Sequence, residues 1–185
     1  SGLTIGAIYA LAGLGFSIIY NSSHVINFAQ GEFIMIGAMA AATLTASGVP
    51  LPLAILIGCV GAMVASVLIA KFTVERARNA TVVTLIIITI GASIFLRGLA
   101  EVVWGKDFHR LDSFSGDMPI NLFGASMQPQ SIWVLAFAGV MIVGIGLFFA
   151  RTLTGKAMLA TSHNRLAAQL VGIDVKKVVL ASFAL

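Results

Sequence analysis

Apolar residues in this chain run in blocks of 16 to 20, separated by short segments that hold most of the charge. A helix needs about 20 predominantly apolar residues to cross a hydrocarbon core. Five blocks come near that length: 2–20, 28–46, 51–70, 81–96 and 131–150. A sixth run, 178–185, holds eight residues. Lipid offers no hydrogen bonds to an open backbone, so each block must bond its own N–H and C=O groups as a helix. The block TVVTLIIITIGASIFL (81–96) is so β-branched that alone it reads as a buried strand. Its neighbours make it a helix, because a lone strand cannot sit in lipid among helices. The pattern predicts an all-α, polytopic transmembrane bundle of about five full spans plus the start of a sixth.

The polar residues between blocks refine these elements. Asn27 with Gln30 three residues on has the form of a capping box, which starts a helix at Phe28 and leaves 21–27 as a short turn. A break near Gly31 would instead make the second span discontinuous. Small residues recur at four-residue spacing in Gly2/Gly6/Ala10, Ala38/Ala42, Gly58/Ala62 and Gly61/Ala65, a spacing that lets helices approach closely in lipid. Ile120–Met127 around Phe123-Gly124 has the form of a small hairpin.

Composition excludes whole classes. The chain is 59% apolar and 10% charged, against roughly 45–50% and about 25% in soluble domains. A soluble enzyme, a disordered chain and a nucleic-acid module are ruled out. The single cysteine, Cys59, excludes an internal disulfide and a cysteine-cluster metal site. Charge sets the expected orientation. Segment 71–80 holds Lys71, Arg76 and Arg78, and 151–177 holds Arg151, Lys156, Arg165, Lys176 and Lys177. Segment 97–130 mixes Arg97, Lys106 and Arg110 with Glu101, Asp107, Asp112 and Asp117. The excess of Lys and Arg places 71–80 and 151–177 in the cytoplasm and 97–130 outside. The net charge of +4 is then mostly basic loops and needs no nucleic-acid partner.

Two stretches carry candidate chemistry. In Asn27-Phe28-Ala29-Gln30-Gly31-Glu32, Glu32 is the one charged residue before Lys71. A carboxylate deep in the membrane costs about 2.5–3.5 kcal/mol and marks a substrate pathway or a broken helix. In a first helical turn near the interface, the helix dipole would instead favour it by about 0.3–1 kcal/mol. The second stretch is Thr154–Ile173, where Leu166, Leu170 and Ile173, with Ala167 and Val171 beside them, form one face of a helix of about ten residues. Such a helix suits docking to a partner, or lying on the membrane surface with its basic residues near headgroups. Catalytic constellations are missing from the sequence. His24, His109 and His163 are far apart, and no zinc-protease, serine-hydrolase or P-loop motif occurs. Ser17, Ser66 and Ser93 suit bonds to backbone carbonyls or to neighbouring helices.

Four stretches in order carry a resemblance: GLTIGAIYALAGLG (2–15), INFAQGEFIMIGA (26–38), VERAR (74–78) and TGKAMLATSHNRLAAQLVGI (154–173). Together they resemble the permease subunits of branched-chain amino acid ABC importers, over nearly the whole chain. The resemblance implies that 1–185 is the N-terminal part of one permease domain that continues into further spans. It implies a bacterial inner-membrane protein moving branched-chain or similar hydrophobic amino acids. The implied partners are a second homologous permease, two ATP-binding subunits and a periplasmic substrate-binding protein. ATP hydrolysis would belong to the separate subunits, so no catalytic residue, metal or cofactor is expected here. Asn27, Gln30, Gly31 and Glu32 become a translocation or helix-break motif, with Gln30 where the family usually has His. Gly155, Ala157, Asn164, Ala167, Ala168, Leu170 and Gly172 become a coupling loop to the ATPase, within 151–177. There Leu166 replaces a Glu, and Leu159 stands where an Arg is common. A permease for urea or short amides shares this architecture. An ion-coupled secondary transporter, with Glu32 binding the proton, is the rival from another class.

Overall fold

In the computed structural model, the described residues are 2–74, 81–106, 111, 116, 120–122 and 125–185. The chain forms α1 (Gly2–Ser23), α2 (Gln30–Ala46), α3 (Leu51–Ile69) running into a wide π turn (Ala70–Val74), and α4 (Val82–Trp104). A hairpin follows, β1 (Ile120–Leu122) with β2 (Ala125–Met127), antiparallel with Ile120 opposite Met127. Then come α5 (Pro129–Arg151), α6 (Leu153–His163), α7 (Arg165–Leu170) and α8 (Val175–Ala184). The expectations for Arg76, Arg78, Asp107, His109, Arg110, Asp112, Asp117 and Phe123-Gly124 lie outside the described residues.

Four helical stretches among the described residues are long and apolar enough to cross a membrane: Gly2–Ser23, Leu51–Phe72, Val83–Trp104 and Pro129–Arg151. The expected second span differs. α2 has 17 residues, about 25 Å at 1.5 Å per residue, short of a core about 30 Å thick. Its start also differs from the expected capping box. Asn27 Oδ1 accepts from Ala29 N at 3.1 Å, and the residue ahead of the helix, Ala29, gives no side-chain cap. A short Asn side chain that bonds the backbone two residues on makes a local turn and competes with helix. The helix therefore starts at Gln30, two residues later than expected.

The link before it is buried. α1 ends with Ser23 Oγ donating to Ile19 O at 2.7 Å and accepting from Val25 N at 3.1 Å. His24 follows in a left-handed conformation, φ 57°. Val25, Asn27 and Ala29 then sit inside the bundle. The break between α1 and α2 is thus packed in protein, the condition under which non-helical backbone is tolerated at membrane depth.

α2 and α3 form the tightest pair. α2 closes in a Schellman motif, with Val49 N bonding Leu44 O and Gly48 N bonding Thr45 O, both at 3.0 Å. Gly48 has φ 89°, a conformation that favours glycine. Pro50 caps α3, and Pro52 sits in its first turn, where a missing N–H costs nothing. Across the pair, a Cβ at Gly58 would lie 2.5 Å from Gly37 O and 3.2 Å from Ala41 Cβ. The Gly58/Ala62 spacing is used as expected, because Ala62 Cβ also faces Gly37. On α2 the register is one residue off: Gly37 and buried Ala41 make the contact, while Ala38 is exposed. Gly2, Gly6 and Gly61 have open space around them.

α4 runs eight residues past its expected end. Thr81 caps it, accepting from Thr84 N at 3.3 Å, and Gly105, φ 78°, ends it. Arg97 and Glu101, expected in a connection, are therefore helical. The apolar pattern continues through Leu99, Ala100, Val102 and Val103, and Arg97 has a carboxylate partner. α8 begins at Val175, three residues before the expected run, because Asp174 caps it through bonds from Lys176 N and Lys177 N. The core gathers Ile19, Ala29, Phe33, Ala70, Ala92, Leu96, Val175, Val179 and Phe183. Ser66 Oγ ties α3 to α8 by donating to Phe183 O at 2.6 Å.

Candidate functional site: a buried polar helix break and a small exposed helix

Thr89, Ser93 and Arg97 follow one another at four-residue spacing, which lines them along one side of α4. That side packs on the break. Thr89 Oγ1 donates to Ile86 O at 2.9 Å and reaches Ile26 O at 3.3 Å. Ser93 Oγ and Arg97 Nη2 both donate to Glu32 Oε1 at 2.7 Å. Arg97 is about 10 Å from the C-terminal end of α4 and about 22 Å from its start, counting 1.5 Å per residue. The break therefore packs about two turns in from the C-terminal end of α4. Glu32 sits in the first turn of α2, and its side chain is buried in the bundle.

The neighbouring amides are less satisfied. Asn27 is 2% exposed, and among the described residues its Nδ2 has no hydrogen-bond partner. Gln30 Oε1 is also buried without one. Gly15 of α1 makes room for the Gln30 amide, since a Cβ there would lie 2.9 Å from Gln30 Nε2. Gly31 has open space around it. The sequence singled out Asn27, Gln30, Gly31 and Glu32 and had Ser93 bonding a neighbouring helix, but it did not pair Glu32 with Ser93 and Arg97. The available signal was the Thr89/Ser93/Arg97 stripe inside an otherwise apolar block.

The second group is built on α6 and α7. Thr152 caps α6 by accepting from Gly155 N at 3.0 Å and donating to Phe148 O at 2.7 Å. Gly155 is packed against the end of α5: a Cβ would collide with Phe148 O and lie 2.7 Å from Phe149 Cα. Met158 and Thr161 anchor α6 in the bundle, and Ala157 is half-buried. Asn164 caps α7, its Oδ1 accepting from Ala167 N at 3.0 Å. α7 ends in a second Schellman motif, with Ile173 N to Ala168 O and Gly172 N to Gln169 O, both 3.0 Å. Gly172 has φ 88°. The six-residue helix faces two ways. Ala168 is buried against the bundle, while Leu166, Ala167, Leu170 and Val171 are exposed, Leu170 at 89%. Ile173 is half-buried.

Among the described residues no group of three His, Cys, Asp or Glu could hold a metal ion. His163 Nδ1 lies 2.8 Å from Leu159 O. The Asp174 carboxyl is held below its usual range, foremost by the backbone N–H of Lys177.

Apolar helices of membrane-spanning length, with the Glu32–Ser93–Arg97 cluster packed between them, define an integral membrane protein of the helical-bundle class. Within that class the chain belongs to the family of branched-chain amino acid transport system permease components, whose family model matches residues 1–185. It is 30% identical over 200 residues to the high-affinity branched-chain amino acid transport system permease protein LivH of Escherichia coli (strain K12), covering 100% of this chain and 64% of that protein. It is 27% identical over 206 residues to the high-affinity branched-chain amino acid transport system permease protein BraD of Pseudomonas aeruginosa, again 100% of this chain and 64% of the relative. The probable branched-chain amino acid transport permease protein LivH of Methanocaldococcus jannaschii is 27% identical over 96% of this chain and 58% of its own length. The chain thus spans less than two thirds of the length of these relatives. No solved structure matches it.

Proposed function

We propose that this chain is part of the membrane-spanning permease subunit of an ABC importer for branched-chain or similar hydrophobic amino acids, in a bacterial inner membrane. The observation that carries this reading is the family match over residues 1–185. The subunit pairs with a second homologous permease. Two ATP-binding subunits supply the energy, and a periplasmic binding protein delivers the amino acid. The Lys and Arg excess of 151–177 puts α6 and α7 on the cytoplasmic side, where the ATPase is.

In this reading α7 is the docking helix. Leu166, Leu170 and Val171 offer apolar area to a cleft on the ATPase, and Gly155, Ala157, Asn164, Ala168 and Gly172 shape and hold that helix. A fully buried Leu contributes about 1.5–3 kcal/mol. Asn27, Gln30, Gly31 and Glu32 form the helix break of the translocation unit. A permease for urea or short amides has the same architecture and differs only in the substrate that is moved. The ion-coupled rival requires Glu32 to exchange a proton with solvent. Against it, Glu32 is buried and already holds Ser93 and Arg97.

The test is Leu170→Glu, alone and with Leu166→Glu, in the complete transporter. These positions are exposed, so the permease still inserts. The ATPase then fails to co-purify, or its activity no longer responds to loaded binding protein. Retained co-purification and retained stimulation in both variants would reject the docking role. Leucine uptake into proteoliposomes, compared with urea and acetamide, decides the substrate class.

A further inference from the structure

Among the described residues, Arg97 is satisfied on one side only. Its Nη2 donates to Glu32 Oε1 at 2.7 Å; the Glu32 side chain is 8% exposed, whereas the Arg97 side chain is 65% exposed. A guanidinium carries five N–H donors in a planar fork. Its acceptor among the described residues is Glu32. Arg97 lies about two turns inside a helix of membrane-spanning length; an open arginine is costly against hydrocarbon, and such residues face a water-filled cavity or a polar partner instead.

The surface around it has a defined character. Ile94 lies three residues before Arg97, Ile90 seven before and Glu101 four after, so the four are neighbours on one flank of α4. Ile94 is 68% exposed, and Ile90 and Glu101 are exposed too. Along the helix this flank presents branched apolar surface, then a cation, then an anion. A branched-chain amino acid has the complementary parts: an apolar side chain, a carboxylate and an ammonium group.

We propose that Arg97 is a substrate-binding residue of the translocation route, its outward guanidinium edge taking the carboxylate of the amino acid while Glu32 and Ser93 fix the inner edge. The chemistry is that of a planar fork meeting a carboxylate through parallel charge-assisted bonds. Glu101 is placed for the ammonium group, and Ile94 and Ile90 for the side chain. This assignment rests on the amino acid importer reading. A lipid phosphate could claim the same fork if the side chain extended to the headgroups, and the experiment separates the two.

The complete transporter in native membranes is treated with p-hydroxyphenylglyoxal, and the Arg97 adduct is quantified by peptide mass spectrometry. Leucine at about ten times its Kd is expected to slow modification of Arg97 roughly tenfold, because the reactive fraction falls as 1/(1 + L/Kd), L being the free leucine concentration. Leucinamide keeps the side chain and amine but lacks the carboxylate, and is expected to give no protection. No protection by leucine, or equal protection by both, overturns the proposal. So does an Arg97 that never reacts, the outcome for a side chain sealed under headgroups. A second readout is the double variant Glu32→Gln/Arg97→Gln, which removes both charges and keeps hydrogen-bonding groups. A purely structural ion pair predicts that the double variant recovers leucine transport lost in the single variants. Carboxylate binding predicts transport still roughly tenfold down at equal membrane abundance, and recovery overturns it. Leucine uptake by the unaltered transporter is measured in the same membranes. Its absence overturns the importer reading and this proposal together, whereas uptake without Arg97 protection overturns this proposal alone.

Discussion

A carboxylate inside a membrane bundle is stable only with donors, and Glu32 has Ser93 and Arg97, both at 2.7 Å. Glu32→Leu leaves Arg97 and Ser93 without their acceptor and is expected to destabilise the bundle by about 1.5–3 kcal/mol, the range for bonds to a charged group. Glu32→Gln keeps an oxygen for both donors and is expected to lose less. Thermal inactivation of the detergent-solubilised full-length permease compares the two, and equal losses would remove the acceptor argument. Asp174 tests a different balance at the start of α8. Its folded pKa lies below the ordinary 3.8, foremost through the Lys177 N–H. A lowered carboxylate value stabilises the fold above the unfolded pKa, and that stability is lost as pH falls through the folded value. The native protein should therefore lose melting temperature more steeply than Asp174→Asn when acidified below pH 3.8. Parallel melting curves would contradict the cap.

At the scale of elements, close backbone approach decides which glycines matter. Gly58 abuts Gly37 O and Ala41 Cβ across the α2–α3 pair, whereas Gly61, three residues on, meets nothing. Gly58→Ala is expected to destabilise by about 1–3 kcal/mol, the cost of overpacking a tight contact. Gly61→Ala, in the same helix, should be neutral or slightly stabilising, since Ala is the better helix former. A fluorescence thermal-shift series on the two variants checks this, and equal behaviour would show that the α2–α3 contact is looser than 2.5 Å implies. Sequence showed the Gly58/Ala62 spacing but not its register against α2. Gly37/Ala41 and Ala38/Ala42 both have the right spacing, and only the packed pair selects the first. α7 makes the same point. Its apolar residues were legible, yet which of them face out follows from Ala168 docking on the bundle.

For the whole molecule, the distribution of Lys and Arg predicts opposite sides for the two ends of α5. Single cysteines at exposed Lys106 and exposed Leu153, in a Cys59→Ala background, test this with an impermeant thiol reagent. Labelling from the periplasmic side is expected at Lys106→Cys and not at Leu153→Cys. The reverse result would invert the bundle and would move α7 away from any cytoplasmic ATPase.

The sequence alone determined the class of this protein. Long apolar blocks admit one backbone solution in lipid, so helices over residues 51–70 and 131–150 could be placed to within two residues, as the observed 51–69 and 129–151 show. The motif residues Asn27 to Glu32 stood out because charge in an apolar block is costly. Tertiary structure alone decided the partners. α4 extends through Arg97 because a carboxylate 65 residues earlier in the chain neutralises it. α2 starts late because Asn27 turns on its own backbone inside a buried link. Hydropathy is local and additive along the chain, so sequence carries it. Charge pairing and helix register depend on which side chains meet across space, and only the packed bundle fixes that.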